Sequence, residues 1–141
     1  MNYDDWAMGF IEADGSLTYA KVNNGGIQPF LFCCQQDEIA IRNLHAILGG
    51  IGRVRCVTPN TRNAVGTKYK TRWQLRVCRK DDLLELMWWL ADKEFLTGHK
   101  KRDYAIWSEM VKVYLMSDFR DSRIKELAAK LSGGKRGAIN G

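Results

Sequence analysis

The sequence predicts a single α+β domain whose elements follow the order αββαββα, with further helices after them. Two pairs of strand-like segments, each pair separated by turn-forming or polar residues, predict a four-stranded antiparallel sheet. Apolar residues at helical spacing lie before, between and after these pairs. A chain of 141 residues, 45% of them hydrophobic, is long enough to bury one core. We expect residues 1–131 to form the domain and residues 132–141 to form a flexible tail.

Five helices are predicted from capping residues and apolar periodicity. The first begins after Asn2 or Asp4 and runs to about Ala13, with Gly15 as its stop signal. Three others are predicted to begin at Gln36 or Asp37, at Asp81 or Asp82, and at Asp121 or Ser122. The remaining helix is marked by the apolar residues between Tyr104 and Tyr114, without a predicted start.

The strands are predicted as two hairpins. Residues 16–22 and 27–34 flank an Asn-Asn-Gly-Gly turn signal, and residues 53–58 and 68–78 flank a polar loop. Because the helices are needed to cover only one face of the sheet, the opposite face is predicted to lie bare.

The bare face is predicted to be basic. In the last strand two arginines and a glutamine alternate with apolar residues, which separates a polar face from a core face. The expected members of the polar face are Ser16, Thr18, Gln28, Arg53, Arg55, Arg72, Gln74 and Arg76. Such guanidinium and amide groups can read base edges in a major groove, although an ordinary solvated sheet face gives the same pattern. Phe30 and Phe32 are exposed on this face if alternation is unbroken, and enter the core if a bulge shifts the register.

Composition narrows the class of protein. The net charge of +6 and the pI near 9.3 favour a polyanionic partner or a plain basic surface. No apolar run reaches the roughly 18 residues of a membrane span, and no signal segment is visible, so we predict a soluble, intracellular protein without a membrane partner. The cysteines form no C-x-x-C pair, which favours buried free thiols over zinc or disulfides.

The segment WAMGFIEADG, residues 6–15, is an apolar helix that ends in two carboxylates. Carboxylates there oppose the helix dipole by up to about 1 kcal/mol each. One interpretation is that Glu12 and Asp14 hydrogen-bond the following turn. The other is that a second copy packs on this helix and brings two Asp14 carboxylates together, which requires bound cations such as Mg²⁺. The expected dimer contacts are Trp6, Gly9, Phe10 and Ala13.

Residues 9–15, GFIEADG, strongly resemble the signature of the LAGLIDADG homing endonucleases, with Ala7 and Met8 at less typical opening positions. The order αββαββα matches that fold over roughly residues 3–116. The resemblance implies a saddle-shaped sheet that binds double-stranded DNA, with the helices on its opposite face. A single motif implies a homodimeric, metal-dependent endodeoxyribonuclease that cuts a long, nearly palindromic target once in each strand and promotes intron or intein mobility.

The resemblance also assigns roles within the site. It implies that Asp14 binds the divalent metal, with the Ala13 carbonyl as a further ligand. Mg²⁺ is expected, Mn²⁺ or Ca²⁺ can occupy the same site, and no small-molecule cofactor is implied. Glu12 replaces the commoner aspartate, which leaves its role open between a site function and shaping the turn.

Two further segments resemble family positions. In Cys34-Gln35-Gln36-Asp37, Gln35 is assigned to hold a water, with Gln36 one register away. In residues 95–104, Lys100 is assigned to lie near the scissile phosphate, with Lys101 as the alternative.

The expected DNA contacts are the arginines and Gln74 of the second hairpin, followed by Ser16, Thr18, Asn24 and Gln28 of the first.

Two other functions remain open. The same basic sheet would suit a non-cleaving relative, such as an RNA maturase or a DNA-binding regulator. A basic α+β domain that assembles through its first helix is a third possibility.

Overall fold

The computed structural model describes residues 2–22, 25–58, 70–118 and 120–131. The helices of these residues are α1 (Tyr3–Asp14), α2 (Glu38–Ile47), α3 (Lys80–Leu90), α4 (Gly98–Met116) and α5 (Ser122–Ala128). The strands are β1 (Gly15–Lys21), β2 (Ile27–Gln35), β3 (Arg53–Val57) and β4 (Arg72–Val77). The chain order confirms the predicted αββαββα core followed by further helices. The predicted tail, the loop at residues 59–63 and Asn24 lie outside the described residues.

The four strands form one antiparallel sheet in the order β1-β2-β4-β3. Each hairpin pairs its own strands, and the two hairpins meet where Phe32 of β2 lies opposite Arg76 of β4. This register places the second half of β2 beside β4, so the centre of the sheet is built from one strand of each hairpin.

The hydrophobic core lies between one face of this sheet and the helices. Fully buried side chains from α1, β2, β4 and α4 meet there, including Ile11, Leu31, Leu75 and Trp107. The Trp107 indole donates a hydrogen bond to the Thr18 carbonyl at 3.1 Å. That bond ties the middle of α4 to β1, the strand that continues directly from α1.

Capping side chains decide where several helices begin. Asn2 accepts a hydrogen bond from the Asp5 amide, and Asp37 accepts bonds from the Ile39 and Ala40 amides, so these are the caps of α1 and α2. The prediction that Asp81 or Asp82 begins α3 was wrong by one or two residues. The helix starts at Lys80, and the Asp82 carboxylate instead accepts a bond from the Gly52 amide at 3.2 Å.

The four cysteines are free thiols in the structure, but they are not all buried. Cys33 is fully buried, Cys34 and Cys78 are half-buried, and Cys56 is exposed. The prediction of burial was therefore wrong for Cys56, which lies on the edge strand β3. Among the helices of the described residues, none combines the length and the apolar character that crossing a membrane requires.

Candidate functional site

Because Gly15 has no side chain, the end of α1 can lie close to the sheet. Ala7 and Ile11 are fully buried on one side of the helix, and the Gly15 amide donates to the Ile11 carbonyl before the chain becomes extended. A Cβ atom at Gly15 would lie 2.8 Å from that carbonyl oxygen and 3.0 Å from the Ile11 Cα. The helix and β1 are therefore joined without a loop, which fixes Asp14 at the start of the sheet.

Gly15→Ala is expected to lower the free energy of unfolding by about 1–3 kcal/mol, because the obstructing atoms are backbone and cannot rotate away. Gly98→Ala is the matched control, since a Cβ at this helix start meets nothing within 4 Å. Urea denaturation of both variants measures the difference. A Gly15→Ala protein as stable as Gly98→Ala would contradict the packing described here.

Asp14 and Gln35 are brought together by this junction. The Gln35 side-chain amide donates to Asp14 Oδ2 at 3.0 Å. Gln35 is the last residue of β2, opposite Trp73 of β4, whereas Gln36 follows the strand and is exposed. Of the two glutamines left open by the sequence, Gln35 is the one that contacts Asp14.

Lys100 approaches the same junction from α4. Thr97 caps this helix by accepting a hydrogen bond from the Lys100 amide, and Lys100 Nζ donates to the Gly15 carbonyl at 2.7 Å. Lys101 instead forms an exposed ion pair with Glu94, at 3.2 Å. Lys100 is thus the lysine that reaches the end of α1, and Lys101 is directed elsewhere.

The charges of Lys100 and Asp14 both act on the buried thiol of Cys33. Burial raises the pKa of the Cys33 thiol to about 12, the charge of Lys100 lowers it and the charge of Asp14 raises it. Cys33 pairs with Gly15 across β1 and β2. The thiol is therefore neutral at physiological pH, and it packs as an apolar side chain rather than acting as a reactive group.

Glu12 faces a different part of the chain. Its carboxylate accepts hydrogen bonds from the Leu96 amide and the Thr97 hydroxyl, each at 2.7 Å. Partial burial raises the pKa of the Glu12 carboxyl, but these bonds and the charge of Lys100 outweigh burial and hold the pKa below its ordinary value. The interpretation that Glu12 only shapes the following turn is wrong, because its partners lie 84 and 85 residues away.

The donor set at the end of α1 suits a hard cation only in part. Asp14 is exposed, and Ala13 lies in the last helical turn, where backbone carbonyls lack an intrahelical partner. Carboxylate and carbonyl oxygens are ligands that Mg²⁺ accepts. Within residues 2–22, 25–58, 70–118 and 120–131 there is no group of three or more histidine, cysteine or acidic side chains that could hold a metal. A metal site at Asp14 and the Ala13 carbonyl therefore stays a prediction.

The outer face of the sheet carries aromatic as well as basic residues. The register pairs Phe30 with Thr18, and Phe32 with both Ser16 and Arg76, so alternation is unbroken and both rings lie on the basic face. Phe30 is nevertheless only 4% exposed, although it does not join the core cluster. The Arg76 guanidinium lies 4.0 Å above its ring, and Phe32 meets it edge to face.

The arginines of this face have no acidic partners among the residues that the structure describes. Arg53, Arg55 and Arg72 are exposed, and none of the ion pairs in the described ranges includes them or Arg76. The residues lining a groove at this end of the sheet are Gly52, Arg53, Arg55, Gln74, Arg76, Cys78, Arg79 and Asp82. Sequence reasoning missed Arg79, because it follows β4 and has no place in the alternation.

Gln28 is placed differently from the other predicted members of the face. It is half-buried, its Nε2 donates to the carbonyls of Pro29 and Cys78, and its Oε1 accepts from the Tyr114 hydroxyl of α4. The expectation that it lies bare was wrong, because β4 ends before reaching it and the amide satisfies the exposed backbone there. Ser16 is exposed and Thr18 half-buried, while Gln74 is half-buried in the groove. DNA contacts at all these positions stay predictions.

The predicted dimer contacts lie on the outer side of α1. Gly9 and Ala13 are exposed, and a Cβ at Gly9 would meet nothing within 4 Å. Trp6 and Phe10 are half-buried with ring centroids 5.4 Å apart. The side of α1 that faces away from the core therefore presents small residues beside two aromatic rings.

Comparison with protein-family models gives no match, and comparison with curated proteins gives none either. Solved structures do match. The archaeal intron-encoded homing endonuclease I-Vdi141I, complexed with DNA, is 20% identical with a TM-score of 0.72 over 93% of this chain and 82% of that one. The homing endonuclease I-TnaI is 17% identical with a TM-score of 0.71 over 94% and 91%.

A third match is to a longer protein. The LAGLIDADG meganuclease I-AabMI, bound to uncleaved DNA, is 16% identical with a TM-score of 0.73 over 94% of this chain but 45% of that one. The chain thus covers most of two relatives and less than half of the third. At these identities the likeness is one of architecture, and it agrees with the observed helices and four-stranded antiparallel sheet. The protein therefore has the fold of the LAGLIDADG homing endonucleases.

Proposed function

We propose that the protein is a homing endonuclease that binds a long, nearly palindromic double-stranded DNA target as a homodimer and hydrolyses one phosphodiester in each strand. The observation that carries this proposal is the junction at Asp14, where Gln35 contacts the carboxylate and Lys100 is fixed to the adjoining Gly15 carbonyl. A protein that only binds nucleic acid has no need to hold an exposed acid beside a basic surface. The DNA-bound state of I-Vdi141I and I-AabMI supports DNA as the partner.

A divalent metal held by Asp14 and the Ala13 carbonyl would polarise the scissile phosphate and help generate the attacking hydroxide. The chain's own groups complete the arrangement. Gln35, which orients the Asp14 carboxylate through a 3.0 Å hydrogen bond, can also hold a water beside it. Lys100 supplies positive charge at a position fixed by the Gly15 carbonyl, where phosphate charge increases during hydrolysis.

The sheet supplies affinity and sequence discrimination. Exposed arginines that have no acidic partner in the described part of the chain neutralise phosphates, and those that reach the bases can form bidentate bonds with guanine. Arg76 differs from the others because the Phe30 ring holds its guanidinium in place. Less side-chain entropy is then lost when it binds, so we assign Arg76 a base contact and the exposed arginines mainly phosphate contacts.

Arg76→Lys is expected to reduce preference for the correct base at one target position by about 1–3 kcal/mol, because a lysine keeps the charge but lacks the planar fork. The salt dependence of binding should hardly change. Arg72→Lys is the matched control and should alter neither property. Binding titrations with single-base target variants at several salt concentrations measure both, and equal effects of the two substitutions would contradict the assignment.

Gly9→Glu is expected to abolish dimer formation while leaving the monomer folded. The new side chain enters open space within one chain, but it would be placed against its own symmetry mate in a dimer packed through α1. Ala105→Glu, at an exposed position of α4, adds the same charge elsewhere. Sedimentation equilibrium measures the mass of each. A Gly9→Glu protein that remains dimeric would place the interface on another surface.

The proposal is tested by incubating the purified protein with DNA that carries the uninterrupted insertion site of its own reading frame. Cleavage of both strands is expected with Mg²⁺ and not with EDTA. A library of random duplexes serves when the insertion site is unknown, because cut molecules can be selected and sequenced. Specific binding of DNA or RNA without cleavage under any divalent metal would refute the proposal and favour a non-cleaving regulator or maturase.

A further inference from the structure

Glu12 links two elements that are remote in the chain. Its Oε1 accepts from the Leu96 amide and its Oε2 from the Thr97 hydroxyl, so both carboxylate oxygens hold the segment that enters α4. The last turn of α1 is thereby fixed to the start of a helix that contributes Lys100.

Thr97 passes this constraint to Lys100. Its hydroxyl oxygen accepts a hydrogen bond from the Lys100 amide at 3.3 Å while its hydrogen is donated to Glu12. The side chain of the same residue donates from Lys100 Nζ to the Gly15 carbonyl. The start of α4 is consequently tied to the junction of α1 and β1 at two points, one where Thr97 bonds to Glu12 and one where the Lys100 ammonium bonds to the Gly15 carbonyl.

Residues 96–98, which lead into α4, make few packing contacts of their own. Phe95 is buried, but Leu96 is 87% exposed and both Thr97 and Gly98 are exposed. A Cβ at Gly98 would meet nothing within 4 Å. Leu96 and Thr97 themselves are therefore held against the end of α1 by their bonds to Glu12.

We propose that Glu12 is a positioning residue that sets the location of the Lys100 ammonium beside Asp14 through Thr97. This inference rests on the proposed nuclease function for its activity readout, but the geometry it assigns belongs to the free protein. It divides the two carboxylates at the C-terminal end of α1 by role, since Asp14 faces the site and Glu12 holds a neighbouring element in register with it.

Glu12→Met removes both acceptors at nearly constant length and is expected to slow cleavage by about 10- to 100-fold with target affinity unchanged, as misplacement of a reacting group by about 1 Å does. Glu12→Gln should retain cleavage within about threefold, because its carbonyl can accept from Leu96 while its NH₂ group donates to the Thr97 hydroxyl oxygen. Equal losses in both variants would assign Glu12 a charge effect and overturn the positioning role.

A double variant tests whether Glu12 acts through Lys100. Adding Glu12→Met to Lys100→Met should cause little further loss, since the ammonium that Glu12 positions is already absent. Losses that multiply would overturn the inference. Glu94→Gln is the matched control, because it removes a carboxylate from the same segment that pairs only with Lys101 in the described structure, and it should cleave like the wild type.

Thr97 supplies a second route if Glu12→Met fails to fold. Thr97→Ser keeps the hydroxyl and should cleave like the wild type, whereas Thr97→Val should reproduce the 10- to 100-fold loss. Wild-type activity in Thr97→Val would overturn the proposed path.

A measurement on the free protein separates this inference from the proposed function. In ¹⁵N and ¹³C-lysine spectra, Glu12→Met should accelerate hydrogen exchange at the Leu96 amide and shift the Lys100 ε-methylene signal, while Glu94→Gln should change neither. Unchanged signals in Glu12→Met would overturn the positioning role. A wild-type protein that cuts no DNA would refute the nuclease proposal, and these spectra would still decide whether Glu12 places Lys100.

Discussion

Asp14→Asn is expected to reduce DNA cleavage by about a thousandfold or more while leaving target binding intact, a loss that corresponds to about 4 kcal/mol of transition-state stabilisation. The substitution keeps the size of the side chain, and its amide oxygen can still accept the bond from Gln35. What it removes is the negative charge that a divalent metal requires. Cleavage rates under single-turnover conditions and equilibrium binding to the same duplex measure the two effects separately.

The control for Asp14→Asn is Asp92→Asn. Asp92 is an exposed carboxylate that pairs with Lys93 beyond the end of α3, so its loss changes the net charge equally without touching the junction. Cleavage by Asp92→Asn should equal that of the wild type. Undiminished cleavage by Asp14→Asn would show that Asp14 is not a metal ligand, whereas loss of binding would make its role structural.

Trp107→Ala is expected to lower the free energy of unfolding by about 3–5 kcal/mol. The indole is fully buried among side chains of the sheet and helices, and its N–H satisfies the Thr18 carbonyl. Removal leaves a cavity and a partly buried acceptor without its donor. Urea denaturation followed by far-ultraviolet circular dichroism measures the change.

Trp88→Ala provides the comparison with the same residue type. Trp88 lies on α3 and is 76% exposed, so its truncation should change stability by less than about 0.5 kcal/mol. Similar destabilisation by both substitutions would mean that α4 is not packed on β1 as described.

The elements that the sequence predicts well are those with sustained periodicity. The alternation in β4 and the apolar stripe of α2 each bury one face, and that burial is what creates the pattern. The start of α4 was not predicted, because Thr97 follows an exposed leucine and precedes a glycine, and neither contributes to a helical stripe. Burial of Phe30 outside the core could not be predicted either, since it depends on Arg76 of another hairpin.

Less of the candidate site than of the fold can be predicted from local sequence. The motif in α1 identifies Asp14 from local sequence, but it cannot choose between Gln35 and Gln36 or between Lys100 and Lys101. Adjacent residues of one type differ only in direction, which is set by the register of β2 with β4 and by the cap of α4. The partner of Glu12 lies 84 residues away, so no local pattern could reveal it.

Under the proposed function, the ring beneath Arg76 bears on any attempt to change the DNA sequence that the protein binds. Because Phe30 is covered by the guanidinium, a shorter side chain at position 76 would uncover an aromatic surface as well as remove a contact. In libraries that vary Arg76 alone, most replacement side chains would therefore lack the packing against Phe30 that the guanidinium provides. Combinatorial variation of Phe30, Phe32 and Arg76 together treats them as one recognition module, and retargeted variants should emerge from that set.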